Sequence, residues 1–332
     1  MFSAPSEHIL LSQTREVAKL LKENDNYLIC PHIHPDPDSI GSAVGLYLGL
    51  RKLGKQVQIY LPEATPPYMD YLLQHADVQL EQPLDMNLKM IFVDLGTPKQ
   101  LHPAVKLVNP WLDLDHHLGP VSFTKYAFVD QYSPATADIV YRVLKDLRCP
   151  MDKTIATVLY SALVFDTRNL TTPTTHPETL HQAAELIRAG ADPTYVNQML
   201  NQQKPINLMR LMGEAFSKIQ SSLDDTLVWA VITEEMLVRH GVEETECDYL
   251  ISDLLTVATA EVILLFKETN QGYVKVSWRS KCHVDVNLIA RQFGGGGHRF
   301  ACGARINLPL KQTVRQVVAA TQQVMEAALM AA

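Results

Sequence analysis

No C-x-x-C pair, no long apolar run and no surplus of basic residues occur in this chain of 332 residues, and each absence excludes something. The five cysteines, Cys30, Cys149, Cys247, Cys282 and Cys302, are odd in number and scattered. That argues against a disulfide framework or a zinc ribbon and points to a reducing compartment. With no apolar run reaching about 18 residues, no membrane span is expected. The opening "MFSAPSEHILLSQ" lacks the basic start and apolar core of a secretory signal, so a cytoplasmic location is expected. Lys and Arg total 29 against 36 Asp and Glu, a formal net charge of −7. Such a chain grips long duplex nucleic acid or a membrane surface poorly through its general field. An anionic partner must be met by a local cationic pocket or by metal.

What is present fits an ordinary globular protein: 47% hydrophobic and 20% charged residues, in a length that suits two domains. Residues 7–23 have helical apolar spacing. "NYLIC" (26–30) reads as a buried strand, "SIGSAVGLYLGLRKLG" (39–54) as a helix, and "QVQIYLP", "MIFVDL" and "WLDLDHH" as further strands. Strands alternating with helices predict a parallel α/β sheet with ligands outside the carboxyl ends of its strands. The pattern turns helical from Ala135 to about Ala189, and residues 190–210 carry prolines, amides and Gly190. After these come "LVWAVIT", "AEVILLFKE" and "GYVKVSWRS" as strands, "DVNLIARQF" as a helix, a strand near 302–308 and a last helix. The expected architecture is α/β throughout: a parallel-sheet domain over 1–189, a helical linker and hinge over 190–213, and a smaller α/β domain over 214–332.

Polar residues gather where the strands end. His32, Asp36 and Asp38 lie in "HIHPDPD", Asp94 closes "IFVD", Asp115, His116 and His117 form "DHH", and Asp166 closes "ALVFD". Taken singly, each has a bland explanation as a turn, a helix cap or a polar loop. Together they deliver oxygen and imidazole donors, with no thiolate, to the ligand end of one sheet. That donor set suits Mn, Mg or Fe(II) better than structural zinc. It is too large for one open site and suits two cations about 3.5–4 Å apart that share a carboxylate. His34 is not assigned to metal.

In the second half, "FGGGGHRFACGA" (293–304) follows a short helix, and four consecutive glycines are costly to order. They make sense where backbone N–H groups approach an anion, although a plain flexible turn reads the same way. Between Lys275 and Arg305 there are six Lys or Arg against one acid, Asp285. Arg279, in "SWRS", offers a bidentate guanidinium for phosphate.

In this order, "HIHPDPDSIGS", "VDLG", "LDHH" and "FDTRN" resemble the motifs of the DHH phosphoesterase superfamily. "RSK…DVNLIARQFGGGGHRFACGA" resembles its DHH-associated C-terminal domain, and the likeness is greatest to the oligoribonuclease and pAp phosphatase (nanoRNase) subgroup. The resemblance implies a hydrolase of short oligoribonucleotides, linear dinucleotides such as pApA, or pAp, with two divalent cations, most simply Mn. It gives His32, Asp36 and Asp94 to one cation, and Asp38, Asp94, His116 and Asp166 to the other. His117 would face the substrate phosphate and Asp115 would orient a ligand histidine. Arg279, Gly295, Gly296, Gly297 and His298 would hold the far end of the substrate. It also implies a homodimer, with neither long duplex nucleic acid nor a membrane as partner. Two alternatives remain at this stage: an inorganic pyrophosphatase or exopolyphosphatase of the same superfamily, and a catalytically weak nucleotide-binding sensor. Three positions depart from the family pattern: Arg168 in "DTRN", Cys282 after "RSK", and Cys302 in "ACGA".

Overall fold

The structure, a computed structural model, describes residues 9–83, 85, 87–117, 123–247, 250–281 and 283–331, without the side chains of His298 and of 328–331. It divides into two compact units, Met1–Gln203 and Lys204–Ala332.

In the first unit, among the described residues, the strands are β1 (Ile9–Leu10), β2 (Tyr27–Cys30), β3 (Val57–Tyr60), β4 (Val78–Gln79), β5 (Lys89–Val93), β6 (Pro110–Asp115) and β7 (Tyr126–Val129). The helices are α1 (Thr14–Glu23), α2 (Pro37–Lys52), α3 (Asp70–Leu73), α4 (Thr136–Asp146), α5 (Lys153–Asp166), α6 (Pro177–Arg188) and α7 (Pro193–Asn201). Every strand pairs in parallel, in the order β1-β7-β6-β5-β2-β3-β4. The chain therefore builds outward from β2 in one direction and from β5 in the other. The boundary between them is the switch point where an open α/β sheet leaves a crevice for ligand. One sheet face buries Ile29, Ile91, Val93, Leu112 and Leu114 against α2, α4 and α5. Residues 9–10, read from sequence as helix, form the edge strand β1 instead. Ile9 N–H donates to the Lys125 carbonyl (2.9 Å) and Leu11 N–H to that of Ala127 (2.7 Å), so sheet pairing prevails over local apolar spacing.

The second unit contains α8 (Ile206–Phe216), β8 (Gln220–Ser222), β9 (Leu227–Ile232), α9 (Glu234–His240), α10 (Leu250–Leu254), β10 (Val262–Glu268), β11 (Val274–Ser280), α11 (Val286–Gln292), β12 (Gly296–His298), β13 (Ala301–Ile306) and α12 (Leu310–Ala331). Its mixed sheet runs β12-β13-β11-β10-β9-β8. Trp278, Phe266 and Val276 pack on one face, and Ile263 and Leu265 on the other against Leu208, Leu211 and Met212 of α8. Within 190–213 both helices are thus committed to cores, Val196 of α7 to the first unit and α8 to the second.

α2 brings two of the acidic site candidates into place. Asp36 is its N-cap and accepts from the amides of Asp38 and Ser39 (both 3.0 Å), and Pro37 opens the first turn. The helix then packs closely on α5. A methyl group at Gly41 would lie 2.7 Å from the Val158 carbonyl oxygen and 2.8 Å from the Ala162 Cβ. Because one obstacle is backbone, relief requires the helices to part. Gly41→Ala is expected to destabilise the protein by about 1–3 kcal/mol through overpacking, despite a helix-propensity gain of about 1 kcal/mol. An unchanged or raised Tm would show that the α2–α5 contact is not tight.

Candidate metal centre

The proposed ligands leave the sheet at the switch point. His32 and Asp36 follow β2, Asp94 follows β5, His116 and His117 follow β6, and Asp166 ends α5. Three overlapping groups converge, each offering donor atoms within 4.8 Å of one another: His32, Asp36 and Asp94; Asp38, His116 and Asp166; Asp94, His116 and His117.

Asp94 belongs to two of the three groups and joins the His32–Asp36 side to the His116 side. Its Oδ2 lies 3.5 Å from His32 Nε2 and its Oδ1 lies 3.5 Å from His116 Nε2, so its two oxygens face different groups. Its backbone is left-handed (φ 61°), a conformation that costs a non-glycine residue energy and aims the side chain off the strand end. Both imidazoles present Nε2 inward because Nδ1 is occupied: His32 donates to the Ile33 carbonyl (2.8 Å) and His116 to that of Ser133 (3.2 Å). Backbone anchoring of this kind fixes the tautomer and ring plane of a metal-binding histidine. His116 Nε2 lies 3.6 Å from Asp166 Oδ2 and 4.0 Å from Asp38 Oδ2.

Asp38 is held on both oxygens. Oδ2 accepts from the Thr136 amide (2.7 Å), and Oδ1 from the Ala137 amide and the Ser42 hydroxyl (both 3.1 Å). Asp115, wholly buried, accepts from His117 Nδ1 (2.6 Å) and from the His116 amide (2.8 Å). The ring that Asp115 holds is thus that of His117, while Ser133 holds the ring of His116. His34, left out of the ligand set, turns away to Glu63. Its amide and Nδ1 donate to that carboxylate at 2.6 and 3.1 Å, which pins a second left-handed residue (φ 54°).

The electrostatics reflect crowding. Burial and the Asp94 charge push Asp38 well above the usual carboxylate range and raise Asp36. Burial lifts Asp166 to about 6, with His116 opposing. Burial works against protonated imidazoles, but the Asp94 hydrogen bond and the Asp36 and Asp94 charges lift His32 to about 10. The Asp94, Asp166 and Asp38 charges lift His116 to about 9 against the same burial. For Asp94 burial is outweighed by the His32 hydrogen bond and the surrounding imidazoles, which hold it below the ordinary range. All of these groups except Asp94 hold protons more readily than usual, because the carboxylates are crowded together and buried. Four carboxylates and two inward Nε2 atoms make a hard-to-borderline donor set, and divalent cations fit it.

Of the second-unit candidates, Arg279 lies in β11, where Nη1 donates to the Trp278 carbonyl (2.9 Å). Strand register puts Arg279 beside Ala301, and Ala301 beside His298, in one row. The last two glycines of the run, Gly296 and Gly297, belong to a strand, β12. A methyl at Gly297 would meet the Ala301 carbonyl oxygen at 2.6 Å, and one at Gly295 the Gly303 carbonyl oxygen at 2.2 Å, so the close approach of β13 already requires glycine there. Gly296 faces open space. The side chain of His298 and residue Cys282 lie outside the described residues. Cys302 is buried with Sγ 3.1 Å from the Val286 carbonyl oxygen, and Arg168 is exposed in a left-handed turn.

Sequence reading passed over two residues here. Thr136, at the start of α4, donates its hydroxyl to Asp94 Oδ1 (3.0 Å); a small polar residue opening an apolar helix was the available signal. Asp113, two residues before Asp115 on the same strand face, is wholly buried beside Phe92 and Ala127, and neither oxygen has a hydrogen-bond partner among the described residues. Its signal was an acid at a core position of "WLDLD".

The chain matches the model of the DHH family, N-terminal domain, over residues 26–163 and that of the DHHA1 domain over 224–327. It is 30% identical over 312 residues to the bifunctional oligoribonuclease and PAP phosphatase NrnA of Thermus thermophilus, covering 93% of each chain. It is 25% identical over 301 residues to the protein of that name from Bacillus subtilis, covering 88% of this chain and 92% of the other. Among solved structures, an exopolyphosphatase-related protein from Bacteroides fragilis shares the fold at a TM-score of 0.81 and 21% identity, over 95% of each chain. A structure of exonuclease RecJ bound to manganese has a TM-score of 0.53 at 15% identity, over 96% of this chain and 95% of the other.

Burial and the charges of Asp115 and Asp94 push Asp113 well above the usual carboxylate range. A folded-state value above the unfolded one, about 4, contributes stability that is present at low pH and lost as pH rises. Asp113→Asn lacks this term. Its Tm relative to wild type is therefore expected to rise steadily from pH 5 to pH 8. A difference that stays constant with pH would show that Asp113 is not held neutral.

Proposed function

We propose, from the premise that the chain belongs to the DHH family, that it is a metal-dependent phosphoesterase. It hydrolyses short oligoribonucleotides, linear dinucleotides such as pApA, or pAp to mononucleotides. The observation that carries this reading is Asp94, with one oxygen turned to His32 and the other to His116. His32, Asp36 and Asp94 would hold one divalent cation, and Asp38, Asp94, His116 and Asp166 a second, with Mn preferred and Mg or Fe(II) as alternatives. Such a pair acidifies water towards neutral pH and meets the charge of phosphoryl oxygens. The names borne by the Thermus thermophilus and Bacillus subtilis relatives support the substrate class.

The protein's own groups do the positioning. Asp115 fixes His117 by the 2.6 Å bond to Nδ1, so Nε2 is the ring atom that meets a phosphoryl oxygen. Asp38, pinned by two amides of α4 and by Ser42, cannot swing away when substrate enters. Division of labour follows the domains: 1–189 for chemistry, 190–213 joining, and 214–332 for substrate. In the last, Arg279, Gly295, Gly296, Gly297 and His298 bind the substrate away from the scissile bond, and a chain of net charge −7 suits a short substrate of a few nucleotides. The protein acts as a cytoplasmic homodimer. Among the described residues no helix is long and apolar enough to cross a membrane.

The test is Mn²⁺-supplemented protein offered pAp, pApA, short RNA and pyrophosphate, with products resolved by chromatography. Nucleotide release from the first three is expected, and Asp94→Ala should abolish it by several orders of magnitude with the fold retained. Turnover of pyrophosphate alone would favour the pyrophosphatase reading, and an active Asp94→Ala protein would remove the bridging ligand from the account.

Arg279→Ala separates grip from chemistry. It should lower kcat/KM on nucleotides about 30- to 1,000-fold, equivalent to roughly 2–4 kcal/mol. Hydrolysis of a nitrophenyl phosphate, too small to need that contact, should change little. Equal losses on both substrates with a lowered Tm would make Arg279 a brace of the second sheet.

A further inference from the structure

The loop between β7 and α4, taken with the first two residues of that helix as residues 130–137, contains none of the proposed ligands. It nevertheless touches three of the proposed ligands. The Ser133 carbonyl accepts from His116 Nδ1 (3.2 Å). The Thr136 and Ala137 amides donate to the two oxygens of Asp38 (2.7 and 3.1 Å). The Thr136 hydroxyl donates to Oδ1 of Asp94 (3.0 Å), the oxygen that faces His116. Among the described residues, no hydrogen bond of the loop reaches His32 or Asp36. Those two are held at the β2 end, His32 by the Ile33 carbonyl and Asp36 by the amides of α2. The loop therefore supports one half of the cluster.

One guanidinium ties the loop down. Arg142, in the second turn of α4, donates from Nη2 to Asp130 Oδ2 (2.7 Å) and to the Ser133 hydroxyl oxygen (3.3 Å), and lies 2.9 Å from Asp138 Oδ2. Ser133 also bonds Asp138. The Asp130 amide donates to the Asp115 carbonyl (3.0 Å), which joins the same knot to the end of β6, just before His116. The guanidinium carbon sits 5.9 Å above the Phe128 ring, so the side chain is packed as well as bonded. Arg142 thus neutralises two carboxylates at the loop's ends and fixes Ser133, whose carbonyl orients the His116 ring.

We propose that Arg142 is a positioning residue that sets the cation affinity of one half of the centre, formed by Asp38, His116 and Asp166, and leaves the His32–Asp36 half unaffected. This rests on the two-cation reading of the site. The bland alternative is that Arg142 only braces α4, in which case its loss would lower stability without distinguishing the two halves.

The test is a Mn²⁺ titration of the full chain, by calorimetry and by the EPR signal of free Mn²⁺. Wild type is expected to bind two ions. Arg142→Met, which keeps the apolar stem, should bind one with unchanged affinity and the other about 10- to 100-fold more weakly, the usual effect of losing a residue that orients a ligand. Arg142→Lys should fall between. Asp130→Asn breaks one anchor while keeping Arg142, and should shift the same single affinity by less. It decides the matter if Arg142→Met does not fold. Equal weakening of both ions, or of neither, overturns the proposal. A wild-type protein that binds fewer than two ions overturns instead the two-cation reading beneath it.

Discussion

Mutual repulsion among Asp36, Asp38, Asp94 and Asp166 is the constraint that the surrounding structure answers. Placed together at one end of a parallel sheet and largely out of water, four carboxylates destabilise the fold unless positive charge or directed N–H groups meet them. The chain supplies the N–H groups from helix starts: α2 to Asp36 and α4 to Asp38. It supplies imidazoles as well, and these hold protons strongly beside Asp94. What remains is an appetite for cations, and that appetite is the chemical resource of the site.

The same constraint explains where rigidity is spent. α2 is pressed onto α5 at Gly41, so the end of α2 that bears Asp36 and Asp38 cannot drift from the end of α5 that bears Asp166. Asp94 is kept in a left-handed backbone state that only a well-determined strand end can hold. Asp113 and Asp115, on the opposite sheet face from the main helices, show the cost. Asp115 is used to fix His117, whereas both Asp113 oxygens and one of Asp115 are buried without a hydrogen-bond partner among the described residues.

The convergence of the candidate residues was legible in the sequence, because they close or follow strongly apolar strands or a helix, and parallel sheets gather strand ends at one edge. Parallel β2, β5 and β6 could be read from "NYLIC", "MIFVDL" and "WLDLDHH" for that reason. The support around them could not. β1 has two residues and depends on pairing with β7, which local periodicity does not record. The glycine run gave no strand signal, yet β12 exists because β13 lies against it. Loop 130–137 works through backbone carbonyls and amides, which carry no residue signature. Only Thr136 and Arg142 betray it, and their partners lie far along the chain or around a turn.

The central claim is that Asp94 lies between two cations. Crystals grown or soaked with Mn²⁺ and measured at the manganese absorption edge test it directly. The account predicts two anomalous peaks about 3.5–4 Å apart, one beside His32 and Asp36, the other beside Asp38, His116 and Asp166, with Asp94 between them. A single peak, or peaks that leave Asp94 unliganded, would contradict it.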